Sequence, residues 1–201
     1  MVKRVFLAFA VLVCWSRLAA AQTDANRFQL GAQFAGAVSG EFDSTDLGAG
    51  VRFSWSPISL LGAEAELDFY PQNFARTPAF SKSRVEGLFG ITAGPRIGRV
   101  RPFAKVRPGF VTFREAPGPF PCIAIFPAPL SCTLGAGATA FALDLGGGVE
   151  FLPAGRTFLR LDIGDRLMRY PGPAFDHNLT LQSDAFFSND FRFSVGGGVR
   201  F

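Results

Sequence analysis

Apolar and polar residues alternate with a period of two in eight successive segments, and this pattern restricts the fold more than any other feature. In "LGAEAELDFY" (61–70) every odd position is apolar, whereas Glu64, Glu66 and Asp68 occupy even positions. A period of two indicates a β-strand, because successive side chains point to opposite faces. We therefore predict strands near residues 27–38, 47–56, 61–70, 84–97, 102–114, 139–151, 156–168 and 189–201.

The connections between these segments alternate in length. This alternation is typical of an up-and-down meander with short turns at one end and long loops at the other, and eight strands suffice to close it. The sequence therefore predicts an all-β fold, an eight-stranded antiparallel up-and-down barrel. The short connections are 56–59, 97–101 and 152–156, and the long ones are 39–46, 71–83, 115–138 and 169–188.

The two faces of the strands decide which kind of barrel or sandwich this is. Alternation alone also fits a soluble sandwich or a lipocalin-like barrel. Each apolar face has about five residues per strand, so a strand of about ten residues could cross a bilayer at a tilt. Bulky aromatic residues such as Phe28, Trp55, Phe69 and Phe151 lie near strand ends, as in the aromatic girdles of membrane barrels. We therefore expect a transmembrane β-barrel.

The polar faces carry both signs of charge in near balance, and most of the cations are arginine, which pairs well with carboxylates. An eight-stranded barrel has an interior only wide enough to be filled by side chains. We therefore predict an enclosed, mutually paired interior that plugs the barrel, although the same charges could face water outside a soluble barrel. The predicted structural network comprises Arg52, Glu64, Glu66, Asp68, Arg96, Lys105, Arg107, Glu150, Arg160, Asp162 and Arg200.

A glycine-rich motif recurs in "LGAGVRF" (47–53), "ITAGPRI" (91–97), "LGGGVEF" (145–151) and "VGGGVRF" (195–201). No helical segment follows these glycines, so they are not nucleotide-binding loops. Their inward positions would leave room for long charged side chains from neighbouring strands. By analogy of position, the motif predicts one inward layer made of Arg52, Arg96, Glu150 and Arg200.

The N-terminus has the three parts of a secretory signal, with Lys3 and Arg4 before a short apolar run and small residues ending at Ala21. We predict a cleaved signal peptide over 1–21 and one barrel domain over 22–201. Removing the signal lowers the formal charge from +4 to +1, so the basic pI does not indicate nucleic-acid binding. Cys122 and Cys132 remain, and an even pair in an exported chain predicts a disulfide.

Together these features resemble the outer-membrane protein A-type family of small eight-stranded barrels, which includes opacity-type surface proteins. The resemblance covers about 27–201 and implies a place in the bacterial outer membrane, with the lipid bilayer and lipopolysaccharide as surroundings. In such proteins a terminal aromatic residue, here Phe201, is read by the barrel assembly machinery. Phe191, Phe193, Val195 and Val199 supply the apolar positions before it.

The resemblance leaves the activity open, because such barrels differ mainly in their loops. We expect a structural or surface-binding protein, with a narrow porin-like channel as the alternative and no cofactor or metal. A lipid A-modifying enzyme would depend on His177, the only histidine, and we predict that the protein is not an enzyme. The proline-rich loop 115–138 has an apolar tip that would either touch a surface partner or cap the barrel mouth.

Overall fold

The computed structural model describes residues 27–71, 83–115, 127–153, 155–176 and 178–201. Within these ranges the only helix is a short one, α1 (Leu130–Gly135), and no described helix is long and apolar enough to cross a membrane. The strands are β1 (Phe28–Ser39), β2 (Ser44–Trp55), β3 (Leu61–Tyr70), β4 (Arg84–Ala93), β5 (Val100–Phe113), β6 (Ala138–Phe151), β7 (Thr157–Tyr170), β8 (Ala174–Phe175), β9 (Leu181–Gln182) and β10 (Phe186–Arg200).

Eight of these strands form a closed antiparallel barrel in the order β1-β10-β7-β6-β5-β4-β3-β2. The last strand closes against the first over a register that runs from Gln29 opposite Arg200 to Ser39 opposite Asp190. Closure leaves the barrel without an unpaired sheet edge. A barrel in lipid requires such closure, because lipid cannot hydrogen-bond to exposed backbone. The predicted fold class is confirmed. The two-residue strands β8 and β9 form a separate small hairpin.

The boundaries differ from the prediction at two places. The first connection is not long, because β1 and β2 stay paired as far as Ser39 and Ser44 and leave only residues 40–43 between them. The fourth strand does not reach residue 97. It ends at Ala93, and Gly94 and Pro95 lead into a tight turn in which Gly98 has a φ of +62°. That backbone conformation favours glycine.

Large apolar side chains cover the outer face of the barrel. Phe34, Leu161 and Phe89 are 74%, 54% and 59% exposed, and their strand neighbours alternate between this face and the interior. Apolar exposure on this scale far exceeds the patches of soluble monomers and matches the lipid-facing belt of a membrane barrel. The strands therefore span the membrane.

The belt ends at the short-connection side in a group of aromatic residues. The Phe28 ring stacks between Phe53 and Phe201, with both pairs of ring centroids 6.0 Å apart. Phe28 lies opposite Trp55 in the β1–β2 register. Such aromatic groups mark the interface between hydrocarbon and headgroups. We call Phe28, Trp55, Phe151 and Phe201 the aromatic girdle.

Some sequence predictions lie outside the described residues. The proposed signal peptide, residues 1–21, is one, and His177 and the loop segment 116–126 are others. The disulfide stays a prediction because Cys122 falls in that loop segment. Its predicted partner, Cys132, is a buried residue of α1.

Candidate functional site

The barrel interior is a charged layer in which acids and bases are equal in number. On the described barrel strands, nine acidic and nine basic side chains are buried. A buried ion costs several kcal/mol unless it is paired, so near-equality of the two signs is a physical requirement. The acids are Asp46, Glu64, Glu66, Asp68, Glu86, Asp144, Glu150, Asp162 and Asp190, and the bases are Arg52, Arg84, Arg101, Lys105, Arg107, Arg160, Arg166, Arg192 and Arg200.

Arg107, on β5, joins three carboxylates at the centre of this layer. Its Nη1 donates to Glu64 Oε1 at 3.0 Å and to Glu66 Oε2 at 2.6 Å. Its Nε donates to Asp144 Oδ2 at 2.8 Å, and Nη2 contacts the same oxygen. The planar guanidinium thus reaches past β4 from β5 to β3 while it also holds the adjacent strand β6.

Two further arginines bind the same acidic strand, β3, from the opposite wall. Arg192 on β10 contacts Glu66 and donates to Asp68 Oδ2 at 2.5 Å. Arg160 on β7 donates from Nη1 to Glu64 Oε2 at 2.8 Å. The alternation predicts Arg or Lys partners for these acids from neighbouring strands, with Lys105 and Arg107 of β5 as candidates. Arg107 is such a partner, whereas Lys105 lies beside Asp144 and Asp162 instead. Arg52, at 2.6 Å from Glu66, comes from the adjacent strand β2, and Arg160 and Arg192 reach across the barrel.

Smaller pairs extend the network toward both ends. At the long-connection end, Arg84 lies 2.5 Å from Asp46 and Arg166 lies 2.7 Å from Asp190. At the short-connection end, Glu150 accepts from Gln29 Nε2 at 2.8 Å. Further ion pairs join Arg101 to Glu150 at 3.7 Å and Lys105 to Asp144 at 3.1 Å and Asp162 at 3.4 Å.

Inward glycines provide the space for some of these side chains. A Cβ atom on Gly50 would stand 2.0 Å from Asp68 Oδ1, and one on Gly164 would stand 2.6 Å from Asp144 Oδ1. Both distances are far below van der Waals contact, so a larger residue would displace the carboxylate from its arginine. Gly50 of the first glycine-rich repeat and Gly164 of β7 therefore make room for carboxylates of the ionic layer.

Arg96 lies at the margin of the network, half-buried where the sequence predicts an enclosed residue. It follows the end of β4, and its Nε donates to Gly98 O in the turn at 3.4 Å. Part of the predicted common layer is present, because Arg96 interacts electrostatically with both Arg200 and Glu150. Arg52 lies deeper, three residues inside the end of β2, and pairs with Glu66. Glu150 is one residue from the end of β6, and Arg200 is the last residue of β10. Equivalent positions in a repeat lie at different heights when the strands differ in length and stagger.

Eight buried members of the network, all on described strands, are absent from the predicted set. Six of them lie on predicted strands: Arg84, Glu86, Asp144, Arg166, Asp190 and Arg192. The other two, Asp46 and Arg101, fall in predicted connections, outside the predicted strands. The alternation could have identified Asp46 and Arg101. Asp46 falls on the same strand face as Arg52, and Arg101 falls on the same face as Lys105 and Arg107. A period of two extended by a few residues would have put both on the inward face.

Apolar residues fill the lumen on either side of the charges. At the long-connection end Leu130 and Leu134 of α1, together with Ala174 of β8, pack against Phe113 and Tyr170 of the barrel wall. The described part of the third loop therefore folds onto the barrel mouth. At the short-connection end Phe103, Phe158 and Leu152 are buried, and the Arg160 guanidinium lies 4.1 Å above the Phe103 ring.

The interior side chains are arranged to pair with one another rather than to carry out catalysis. Each carboxylate of the central layer already accepts from an arginine or lies beside a lysine, so none is poised as an unpaired base. No group of three or more metal-ligating residues occurs in the part of the chain that the structure describes. The prediction that the protein is not an enzyme stays a prediction, since His177 is outside that part.

No family model and no curated protein matches the chain. Among solved structures, neisserial surface protein A aligns over 87% of this chain and 97% of its own, with a TM-score of 0.54 and 16% identity. The N-terminal β-barrel domain of Pseudomonas aeruginosa OprF aligns over 88% and 98%, with a TM-score of 0.48 and 8% identity. OprG from the same organism aligns over 88% and 96%, with a TM-score of 0.47 and 11% identity.

The likeness to neisserial surface protein A concerns the fold alone. It confirms the predicted resemblance at that level, because the closed eight-stranded barrel of this chain aligns with nearly the whole of that structure. The apolar outer belt independently requires a lipid environment. The protein is therefore an outer-membrane protein, as the sequence predicts.

Proposed function

We propose that this protein is a plugged outer-membrane barrel whose biological work is done at the long-connection surface. One observation carries the proposal. The lumen holds an ionic layer of nine acids and nine bases between two layers of buried apolar side chains, within the described residues. A barrel filled in this way serves as a rigid anchor for the surface that it presents.

The ionic layer supports a closed interior because its charged side chains are paired with side chains from several other strands. Glu66 alone is contacted by Arg52, Arg107 and Arg192, which come from three different strands. Opening a path through this layer would separate several buried pairs together, and each separation leaves a poorly solvated charge. The narrow channel expected as an alternative would have to pass both this layer and the apolar layers.

The long-connection end supports a binding role because it presents apolar residues on a hairpin whose turn is fixed by hydrogen bonds. Between β8 and β9, Asp176 Oδ1 accepts from the backbone N–H of Asn178 at 3.0 Å and of Thr180 at 2.8 Å. This arrangement holds Leu179 at 82% exposure, and Leu181 follows at 53%. Exposed apolar residues fixed in this way are typical of contact sites.

The test compares apolar pairs on opposite ends of the barrel. A non-adherent bacterium expresses the full chain, and its retention on a monolayer of cultured epithelial cells is measured. We expect Leu179→Ser with Leu181→Ser to reduce retention several-fold, because the pair lies on the cell surface. The control is Ile58→Ser with Ile97→Ser, which are 54% and 66% exposed on short connections and face the periplasm.

The control pair should retain the wild-type value. Retention of the wild type no greater than that of cells without the protein would contradict the proposal, as would an equal loss from both pairs. A third variant, with residues 116–126 replaced by a short Gly-Ser linker, tests the predicted surface partner of the 115–138 loop. Folding of every variant is checked by heat-modifiable gel migration.

A further inference from the structure

Three exposed arginines stand at the short-connection end of the barrel, and we call Arg27, Arg99 and Arg156 the arginine rim. Among the described residues, none of the three has a carboxylate within ion-pair distance. The short connections 56–60, 94–99 and 152–156 contain no Asp or Glu at all. The opposite end differs, since connections 40–43, 71–83, 114–137 and 171–185 hold five acids against three Lys and Arg.

Each rim arginine is tied by its backbone to a strand end that carries a girdle aromatic. The Arg27 carbonyl accepts from Ser56 N at 2.8 Å, next to Trp55. The Arg99 carbonyl accepts from Leu152 N at 2.7 Å, directly after Phe151. The Arg156 carbonyl accepts from Arg200 N at 2.6 Å, directly before Phe201. The rim therefore lies one step beyond the aromatic girdle.

This position sets the depth of the three guanidinium groups in the membrane. Aromatic girdles lie at the boundary between hydrocarbon and headgroups. Charged groups one residue further out stand at the level of the lipid phosphates. Short turns of such barrels face the periplasm, so the relevant lipids are the phospholipids of the periplasmic leaflet.

We propose that the arginine rim binds the headgroups of anionic phospholipids in the periplasmic leaflet. Guanidinium groups pair with phosphate oxygens in a bidentate fashion. The rim cations have no carboxylate partners among the described residues, so an anionic lipid supplies the missing negative charge. This proposal depends only on membrane insertion and stands apart from the surface role proposed above.

The distribution of the rim favours lipid over a soluble acidic partner. Arg27 belongs to the β1–β2 side, Arg99 to the β4–β5 turn, and Arg156 to the β6–β7 turn. The three are thus spread around the circumference of the closed barrel. Annular lipids surround a barrel on all sides, whereas one soluble protein would meet only part of the circumference.

Trp55 provides a local probe of the lipids beside the rim. The chain has two tryptophans, and Trp15 lies in the predicted signal peptide. A Trp15→Phe background therefore leaves Trp55 as the single fluorophore whether or not the signal is removed, and this is the form to be studied. The folded protein is reconstituted in phosphatidylethanolamine vesicles that contain increasing fractions of phosphatidylglycerol with brominated acyl chains. Quenching of Trp55 fluorescence gives the binding constant relative to brominated phosphatidylethanolamine.

We expect a roughly fivefold preference for phosphatidylglycerol at low salt, as one nearby arginine would confer. The preference should approach one in Arg27→Gln with Arg156→Gln. The matched control, Arg114→Gln with Arg169→Gln, removes the same charge from exposed positions at the opposite end and should keep the preference.

Equal quenching by the two brominated lipids in the wild type would overturn the proposal. Equal losses from the rim pair and the control pair would overturn it too. If the Arg27→Gln, Arg156→Gln variant fails to fold, the salt dependence of the lipid preference in the wild type provides the test. Because exposed charges are screened, 1 M NaCl should abolish the preference, and a preference that persists there would count against the rim.

Discussion

Replacing Arg107 by leucine is expected to lower the free energy of unfolding by about 3–5 kcal/mol. Arg107 holds Glu64, Glu66 and Asp144 at once, and its side chain is fully buried. Its loss leaves the described barrel strands with nine buried acids and eight buried bases, so that one carboxylate lacks a cation. The measurement is a urea titration of the barrel in lipid vesicles, with the folded fraction followed by heat-modifiable gel migration.

Two companion variants separate electrostatics from packing. Arg114→Leu removes the same charge from an exposed position just after β5 and should change stability by no more than about 0.5 kcal/mol. In the double variant Arg107→Leu with Asp144→Leu, one unpaired acid is also removed. The combined cost should therefore be smaller than the sum of the two single costs. A cost for Arg107→Leu no larger than that for Arg114→Leu would contradict the paired interior.

The second expected result concerns the lipid-facing belt. Leu161→Arg should cost about 2–4 kcal/mol, the range for arginine near the midplane of a membrane barrel. Leu161 points outward between Val149 on β6 and Val195 on β10, with apolar neighbours on both sides. The same urea titration in vesicles measures the cost.

Leu179→Arg is the matched control, because Leu179 is even more exposed than Leu161 but lies in the β8–β9 hairpin. In a soluble protein both exposed substitutions would be nearly neutral. In a membrane barrel only Leu161→Arg carries a penalty. Equal, small effects at both positions would contradict the lipid-facing belt.

Local sequence pattern is enough to predict the strands and the composition of the interior. The alternation in 61–70 puts Glu64, Glu66 and Asp68 on one face, and that face is the buried one. The same phase correctly orients Arg107 and Arg160. Each of these assignments depends only on residues two apart in the chain, where the strand period is reliable.

Pairing across the lumen could not be predicted, because it depends on the stagger of the closed sheet. Arg192 and Glu66 are 126 residues apart and meet only after β10 closes on β1. The same stagger places Arg52 deeper than the other residues of the layer predicted from the glycine repeats. Arg96 is only half-buried for a local reason, since β4 ends at Ala93, before Gly94 and Pro95. Helix α1 has no clear periodic signal in its six residues.

The closed interior is tested most directly by conductance across a planar lipid bilayer. The full-length folded barrel is delivered to the bilayer from proteoliposomes. Heat-modifiable gel migration of the protein recovered from those proteoliposomes verifies that it is folded. A porin of known conductance serves as the positive control in the same bilayers. The paired lumen predicts that the wild type gives no steady current at any holding potential that the bilayer withstands. A steady open conductance from the wild type would contradict it.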